Sequence, residues 1–185
     1  MVVEKKLVTA DEYEDFIALP ENRNRRFELF NGEIIEMSPT MEHGISGSII
    51  NGELYSWNKV NPIGRVMTET SYQMPDDEHN APIPDVSFIV GLDTPIVRKG
   101  NVPRMPDLAV EVKSPTNTYL EQREKAAYYI ANGCRLVWLV FPAKRLIEVY
   151  RPNMDVEILT DEDTLDGYDV LPGFRLAVRD VFVPR

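Results

Sequence analysis

The sequence predicts an α/β protein, on the border with the α+β class, built on a mixed central sheet flanked by helices. Residues 107–113 alternate apolar and polar side chains like a strand, residues 119–131 have a helical pattern, and residues 136–141 form a continuous apolar run. A strand–helix–strand unit of this kind predicts two parallel strands joined by a right-handed crossover. Hairpin patterns on both sides of the unit make the predicted sheet mixed.

A short helix and a hairpin are predicted near the N-terminus. Thr9 and Glu12 have the spacing of a capping box, which predicts the start of a helix. Asn31-Gly32, between two β-compatible halves of residues 25–37, is typical of a type I′ turn. The sequence therefore predicts an N-terminal hairpin.

A long helix follows, from Met41 to about Lys59, because apolar residues recur there at helical spacing. Glycines weaken this helix, and we expect them to allow close packing by a neighbouring element; they are Gly44, Gly47 and Gly52. Two strands are predicted after it, near residues 65–68 and 71–74.

The remaining elements complete the sheet. Residues 84–90 alternate like a second half-buried strand. Asn132-Gly133 is a C-cap pattern that ends the crossover helix. Residues 145–150 and 155–159 predict a hairpin around Pro152-Asn153, and a short strand or turn is expected up to Phe182.

Composition places the chain among globular proteins. It has 185 residues, of which 43% are hydrophobic and 27% charged, so we predict one domain over residues 1–185. No apolar run reaches the roughly 18 residues that a membrane span needs. The N-terminal residues lack the apolar segment of a signal peptide, so the expected location is the cytoplasm without membrane attachment.

The net charge of −10 limits the nucleic-acid hypothesis. Proteins that bind duplex DNA tightly usually have a basic surface, so any DNA binding by this chain is expected to be weak or transient. Two local basic clusters could contact phosphates: Arg23, Arg25 and Arg26, and then Arg98, Lys99 and Arg104.

Two predicted strands carry carboxylates on their polar faces. Asp85 begins one strand, and Glu111 lies in the other, two residues before Lys113 and on the same face. If the strands are neighbours, the two carboxylates and the backbone carbonyl of Val112 can bind Mg²⁺, which prefers oxygen ligands. A lysine beside them can orient or deprotonate water and stabilise a phosphorane-like transition state. This pattern indicates metal-assisted phosphodiester hydrolysis, although an ion pair on a solvated sheet face has the same pattern.

These residues resemble a known signature. Pro84-Asp85, followed after 25 residues by Glu111-Val112-Lys113, resembles the PD-(D/E)XK signature of the restriction-endonuclease-like superfamily. A wider pattern, from about Thr9 to Phe182, resembles the Uma-two family of bacterial endonuclease-like proteins. It comprises Phe27-Glu28-Leu29, Gly32-Glu33, Ser38-Pro39, His43, Pro106-Asp107-Leu108, Ser114-Pro115, Lys125, Tyr129, Gly133, Val137-Trp138-Leu139-Val140 and Leu171-Pro172-Gly173-Phe174.

The resemblance implies a restriction-endonuclease-like core and an endonuclease that uses Mg²⁺, or Mn²⁺, to cleave DNA. Many members of this family lack a lysine on the strand and are expected to use one in the following helix, which is Lys125 here. The alternative for Lys125 is a solvated helix face, paired with Glu121. Glu28 is either an additional acidic group of the site or a surface charge of the hairpin.

Two further residues have a structural interpretation. Asp107 lies about 13 Å along the strand from Glu111, so we expect it to cap the start of the strand or to pair with a basic loop residue such as Arg104, rather than join the site. His43 is expected to be a polar residue at the helix start, bordering the cleft.

The second function hypothesis is a catalytically silent, dimeric binding or regulatory module with the same fold. The acidic net charge favours it, because it suppresses nonspecific association with DNA. A homodimer is expected in either case, through the exposed strand near residues 155–159 and the C-terminal turn.

Overall fold

The computed structural model describes residues 6–184. Its helices are α1 (Ala10–Ala18), α2 (Met41–Val60) and α3 (Tyr119–Ala131). Its strands are β1 (Phe27–Phe30), β2 (Glu33–Glu36), β3 (Gly64–Thr68), β4 (Val86–Val90), β5 (Leu108–Val112), β6 (Leu136–Phe141), β7 (Leu146–Tyr150), β8 (Glu157–Thr160), β9 (Thr164–Asp166) and β10 (Arg175–Ala177).

Six strands form the central sheet in the order β3-β4-β5-β6-β7-β8. β5 and β6 are parallel and are joined through α3, while the other neighbouring pairs are antiparallel. The predicted mixed sheet is therefore confirmed. Two small antiparallel pairs accompany it, the N-terminal hairpin β1–β2 and the pair β9–β10.

The alternation of β5 divides the apolar core into two layers. Val110 and Val112 are buried on one face with Ile50 and Leu54 of α2. Ala109 is buried on the other face, where Ala126 and Tyr129 of α3 pack. Because side chains of a strand alternate between faces, Glu111 shares the α3 face with Ala109. This alternation gives the one charged residue of β5 a position under a helix.

Local sequence signals fix the ends of several elements. Thr9 and Glu12 form the predicted capping box of α1, and Thr118 and Glu121 form another at the start of α3. Asn31 and Gly32 have φ angles of 50° and 68°, so the predicted type I′ turn is confirmed. A Cβ at Gly32 would lie 2.6 Å from the Cβ of Leu7, which also favours glycine there.

Two predictions about local structure were wrong, and one strand was missed. Residues 71–74 are not a strand, since Tyr72 forms an isolated bridge with Val102 and no ladder. β9 was not predicted, because three residues are too short for a periodic signal. The glycines of α2 permit no close packing by the described part of the chain: a Cβ at Gly44, Gly47 or Gly52 would meet no atom of residues 6–184 within 4 Å outside the adjacent turns of its own helix.

One edge of the central sheet carries exposed apolar side chains. β8 is the edge strand, and Met154, Val156 and Ile158 are exposed on it or just before it. Exposed edges can pair with another chain. None of the helices in residues 6–184 is long and apolar enough to cross a membrane.

Candidate active site

Asp85 and Glu111 lie at the same end of two neighbouring strands. β4 and β5 are antiparallel with Val86 opposite Val110, so Asp85 and Glu111 continue the same register. The carboxylate of Asp85 accepts a hydrogen bond from the backbone N–H of Val112 at 2.7 Å. The two sequence-predicted acids are thereby brought together beside the end of β5.

Lys125 joins this end of the sheet to the N-terminal hairpin. Its Nζ atom lies 2.9 Å from Oε1 of Glu111 and 2.9 Å from Oε2 of Glu28, which is on β1. All three side chains are buried, each with a relative exposure of 4%. Lys125 is therefore not on a solvated helix face, and Glu28 is not a surface charge of the hairpin.

Glu121, the alternative partner that the sequence suggests for Lys125, caps α3 instead. The carboxylate of Glu121 accepts the backbone N–H of Thr118 and so caps the start of α3. A side chain used in this way stabilises the first turn of the helix and does not reach Lys125.

Two more side chains bond to the acids. Tyr129, on the same helix as Lys125, donates its hydroxyl to Oε1 of Glu111 at 2.8 Å. His43, in the first turn of α2, has Nε2 at 3.2 Å from Oδ2 of Asp85. The expectation that His43 borders the cleft is confirmed, and its ring in addition contacts one of the acids directly.

Lys113 lies outside this cluster, contrary to the expectation that it stands beside Glu111. Its Nζ donates to the backbone carbonyl of Ser114 at 3.0 Å and lies 4.9 Å from the ring centre of Tyr119. Lys113 follows the last residue of β5, so its side chain runs beside the start of α3 instead of entering the cleft. The ammonium group that meets Glu111 comes from the helix.

Asp107 is at the opposite end of β5 and takes no part in the cluster. It accepts hydrogen bonds from Arg104 at 2.9 Å, from Arg135 at 3.2 Å and from the backbone of Val90 at 2.9 Å. The predicted pairing with Arg104 is confirmed.

The buried cluster contains more carboxylates than cationic groups. Burial raises the pKa of Glu111 to about 7, with Lys125 opposing the rise and Glu28 adding to it. Burial alone would lower the pKa of Lys125, but its contacts with the two glutamates raise that pKa above its ordinary value. Lys125 is therefore an ammonium group at neutral pH.

The pKa of His43 is also set by opposing effects of burial and nearby charge. Burial would lower the pKa of His43, but the hydrogen bond and the charge of Asp85, with Glu111 and Glu69 farther away, raise it. A raised pKa favours the imidazolium form, which pairs with the carboxylate of Asp85.

These residues line one open cleft of about 50 Å³, room for a few water molecules. The lining residues are Arg26, Glu28, Ile35, Glu36, Met37, Ser38, Pro39, His43, Glu69, Asp85, Glu111, Val112, Ser114, Thr116, Asn117, Gln122 and Lys125. Carboxylates, amides and hydroxyls dominate the lining, so the cleft suits a small hydrated cation or a phosphate group rather than an apolar ligand.

The oxygen groups of the cleft are of the chemical type that binds a hard divalent cation. Asp85, Glu111 and Val112 all line the cleft, and Mg²⁺ is bound by a few protein oxygens and several waters. The bonds of Lys125 and Tyr129 both end on Oε1 of Glu111, and no donor in residues 6–184 bonds its Oε2. However, no group of three or more His, Cys, Asp or Glu residues in that range is arranged to hold a metal ion.

The sequence hypothesis missed Gln122, and it named Tyr129 in the family pattern without giving it a role in the site. Both are buried on α3, on the helix face that also carries Lys125. The spacing 122, 125, 129 places three polar side chains on one face of a helix. A polar stripe on the core-facing side of a helix is the signal that could have identified them.

The family comparison bears on this cleft directly. The family model Uma2, described as "Putative restriction endonuclease", matches residues 13–179. The chain belongs to the Uma2 family. The matched range includes Glu28, Asp85, Glu111 and Lys125, so the Uma2 match covers the elements that build the cleft. The resemblance to this family in the sequence is confirmed.

A solved structure has the same fold as this Uma2 protein. It is the crystal structure of "a putative nuclease belonging to DUF820" from Anabaena variabilis ATCC 29413, with a TM-score of 0.79 and 22% sequence identity. The alignment covers 95% of this chain and 97% of the other. Together with the family match, the shared fold confirms the predicted restriction-endonuclease-like core. The family match supports a nuclease. No curated protein matches the sequence.

Proposed function

We propose that this Uma2 protein is an endonuclease that hydrolyses phosphodiester bonds of DNA with Mg²⁺, or Mn²⁺, as its cofactor. The observation that carries the proposal is the convergence of Asp85, Glu111 and Lys125 in one cleft. Two carboxylates at adjoining strand ends offer oxygens to a cation, and a buried ammonium group lies against one of them. Family membership and fold support the same class of protein.

Each of these side chains has a role in this proposal. Asp85, Glu111 and the carbonyl of Val112 would hold the metal ion, which would supply Lewis-acid chemistry toward the phosphate and water. Lys125 remains an ammonium group, so it stabilises negative charge in the transition state and does not deprotonate water. Glu28 holds Lys125 in place.

The reaction is hydrolysis, and it needs no other reactant. A new bond forms between the water oxygen and phosphorus while one phosphorus–oxygen ester bond breaks. The attacking water loses a proton, and the departing oxygen gains one. The side chains of the cleft hold charge and position groups and are not consumed.

Lys125 replaces Lys113 as the cation of the proposed site. Without a metal ion, Lys125 is the cation of residues 6–184 that forms ion pairs with both Glu28 and Glu111. Burial, with the charge of Glu28 in addition, raises the pKa of Glu111, and a divalent cation bound there would lower it by stabilising the carboxylate form. Metal binding should therefore be accompanied by proton release near neutral pH.

DNA as the substrate requires basic groups beside the cleft. Several arginines of the predicted clusters are already paired: Arg25 with Glu36, Arg26 with Glu69 and Arg104 with Asp107. Lys113 and Lys144 are different, because no carboxylate in residues 6–184 forms an ion pair with either. Their Nζ atoms lie 4.9 and 3.9 Å from the ring centre of Tyr119.

A specific observation favours the second hypothesis, a dimeric binding or regulatory module without activity. No ready metal-binding group exists in residues 6–184, and an ammonium group already compensates Glu111. In that case Lys125 is a structural cation. In both hypotheses, the exposed edge strand β8 would supply the dimer interface.

Two measurements separate the hypotheses. Cleavage of plasmid DNA with Mg²⁺, Mn²⁺ or EDTA should show metal-dependent nicking that Glu111→Gln and Lys125→Met abolish. The matched controls are Glu124→Gln, an exposed glutamate on the same helix, and Lys59→Met, an exposed lysine on α2; both should cleave normally. Titration calorimetry should show Mg²⁺ binding that Glu111→Gln removes. Absence of both cleavage and millimolar metal binding would establish the silent module instead.

A further inference from the structure

Gln122 has a buried polar side chain that the fold does not satisfy. It lies on α3, one turn before Lys125, with a relative exposure of 3%, and it lines the cleft. Its Oε1 atom is fully buried and has no hydrogen-bond partner in residues 6–184. A buried polar atom without a partner costs about 1–3 kcal/mol. An unpaired amide oxygen on a residue that lines a cleft points to a partner that arrives with the reaction.

Another glutamine shows what a structural role looks like in the same protein. The amide of Gln73 donates to the backbone carbonyl of Asp77 at 3.0 Å, and its oxygen accepts from the amide of Asn101 at 2.9 Å. Both ends of that side chain are therefore used to hold loops together. Gln122 has the same side chain but forms no such bond within residues 6–184, so packing alone does not require its amide.

We propose that Gln122 is a catalytic residue whose amide oxygen accepts a hydrogen bond from the attacking water. This inference rests on the proposed nuclease function. Gln122 and Lys125 are three residues apart, so their side chains face the same cleft from the same side of α3. The water would then lie between the helix and the carboxylates of the strands.

The chemistry of an amide suits this position. Glu28 and Glu111 already share one ammonium group in the cleft, so a carboxylate at position 122 would add repulsion. A neutral amide oxygen accepts a hydrogen bond without adding charge or removing a proton. One O–H of the water is held by Gln122, and the other proton leaves to solvent as the new phosphorus–oxygen bond forms. The departing ester oxygen takes a proton from solvent, so Gln122 ends unchanged.

The test compares Gln122→Met with Gln73→Met. Methionine fills nearly the same space but cannot accept this hydrogen bond. For Gln122→Met we expect kcat on a labelled DNA duplex with Mg²⁺ to fall about 100-fold with an unchanged KM, because the water loses its orientation. Its Tm should equal or exceed that of the wild type, since an unpaired polar atom is removed. Gln73→Met should lower Tm and leave kcat unchanged.

Each other outcome has a definite meaning. A wild-type kcat for Gln122→Met, or a fall in Tm that accompanies the loss of activity, overturns the role of Gln122. A raised KM with an unchanged kcat also overturns it, because the amide would then contact DNA and not water. If the wild-type protein itself cleaves no DNA with either metal, the proposed function fails, and this result is distinguishable from the failure of Gln122 alone.

Discussion

Lys125 donates from Nζ to both carboxylate oxygens of Glu28, at 3.1 and 2.9 Å, across 97 residues of sequence. Both side chains are buried, so water does not screen this pair. The bond fastens the N-terminal hairpin to α3, and the same ammonium group reaches Glu111 on β5. One lysine thus links three separate elements around the cleft.

The first prediction concerns the loss of that lysine. Lys125→Met leaves Glu28 and Glu111 buried without a compensating charge, and removing one member of a buried pair costs about 3–5 kcal/mol. The free energy of unfolding should fall by this order at pH 8 and by less at pH 5, where protonation of Glu111 relieves the repulsion. Urea unfolding at the two pH values measures the difference.

A double variant supplies the control for this prediction. The double variant Lys125→Met, Glu28→Gln removes one of the two buried carboxylates that lack a cation. Its free energy of unfolding at pH 8 should therefore be higher than that of Lys125→Met alone. Lys59→Met removes an exposed lysine and should change little. Equal stability of wild type and Lys125→Met at pH 8 would show that the ion cluster contributes nothing to the fold.

The second prediction follows from the raised pKa of Glu111. In the folded protein this pKa is about 7, above the ordinary value of 4.5, so the folded state binds more protons between these values. The stabilising contribution is therefore present at low pH and is lost as the pH rises from about 4.5 through 7. Glu111→Gln cannot lose a proton, so its stability relative to wild type should increase by up to about 3 kcal/mol between pH 5 and pH 8.

Chemical denaturation in EDTA across this pH range tests the sign. Glu124→Gln is the control, because that glutamate is exposed on the same helix and its variant should follow the wild type. A Glu111→Gln variant that loses relative stability as the pH rises would mean that Glu111 is ionised and well compensated by Lys125.

Local patterns explain why most of the fold could be predicted. The bounds of α3 and β6 match the expected residues, because α3 has helical periodicity and a glycine just after its end and β6 is a continuous apolar run. Alternation placed Asp85 and Glu111 on the polar faces of their strands, and β4 and β5 meet the condition that these strands be neighbours. These signals act within a few residues of the chain.

The cation of the cleft could not be chosen from the sequence. Lys113 and Lys125 were both possible, and strand alternation favoured Lys113 because it shares a face with Glu111. What decides between them is the position of α3 over the sheet, which brings Lys125 onto Glu111. The partner of Lys125, Glu28, is 97 residues away, and no local pattern reports such a contact.

The third prediction concerns the lysines beside the cleft. Lys113 and Lys144 flank the ring of Tyr119, and the hollow lined by Lys113 and Tyr119 shares Ser114 with the cleft. A DNA strand that leaves the cleft past Ser114 would meet both ammonium groups. We therefore expect the double variant Lys113→Ala, Lys144→Ala to bind a labelled duplex more weakly in EDTA, where no cleavage occurs. Fluorescence anisotropy at several salt concentrations measures the affinity.

The salt dependence gives this prediction its sharpest form. Each phosphate contact that is lost should reduce the slope of log K against log salt by about 0.9, so the double variant should lose about 1.8. Lys59→Ala is the matched control, because Lys59 also lies over a tyrosine ring, that of Tyr55, at 5.8 Å, but on the exposed face of α2. If Lys59→Ala weakens binding as much as the double variant, the effect is one of net charge alone. A difference confined to Lys113 and Lys144 would instead place the DNA backbone beside Tyr119, on the side of the cleft where β5 ends and α3 begins.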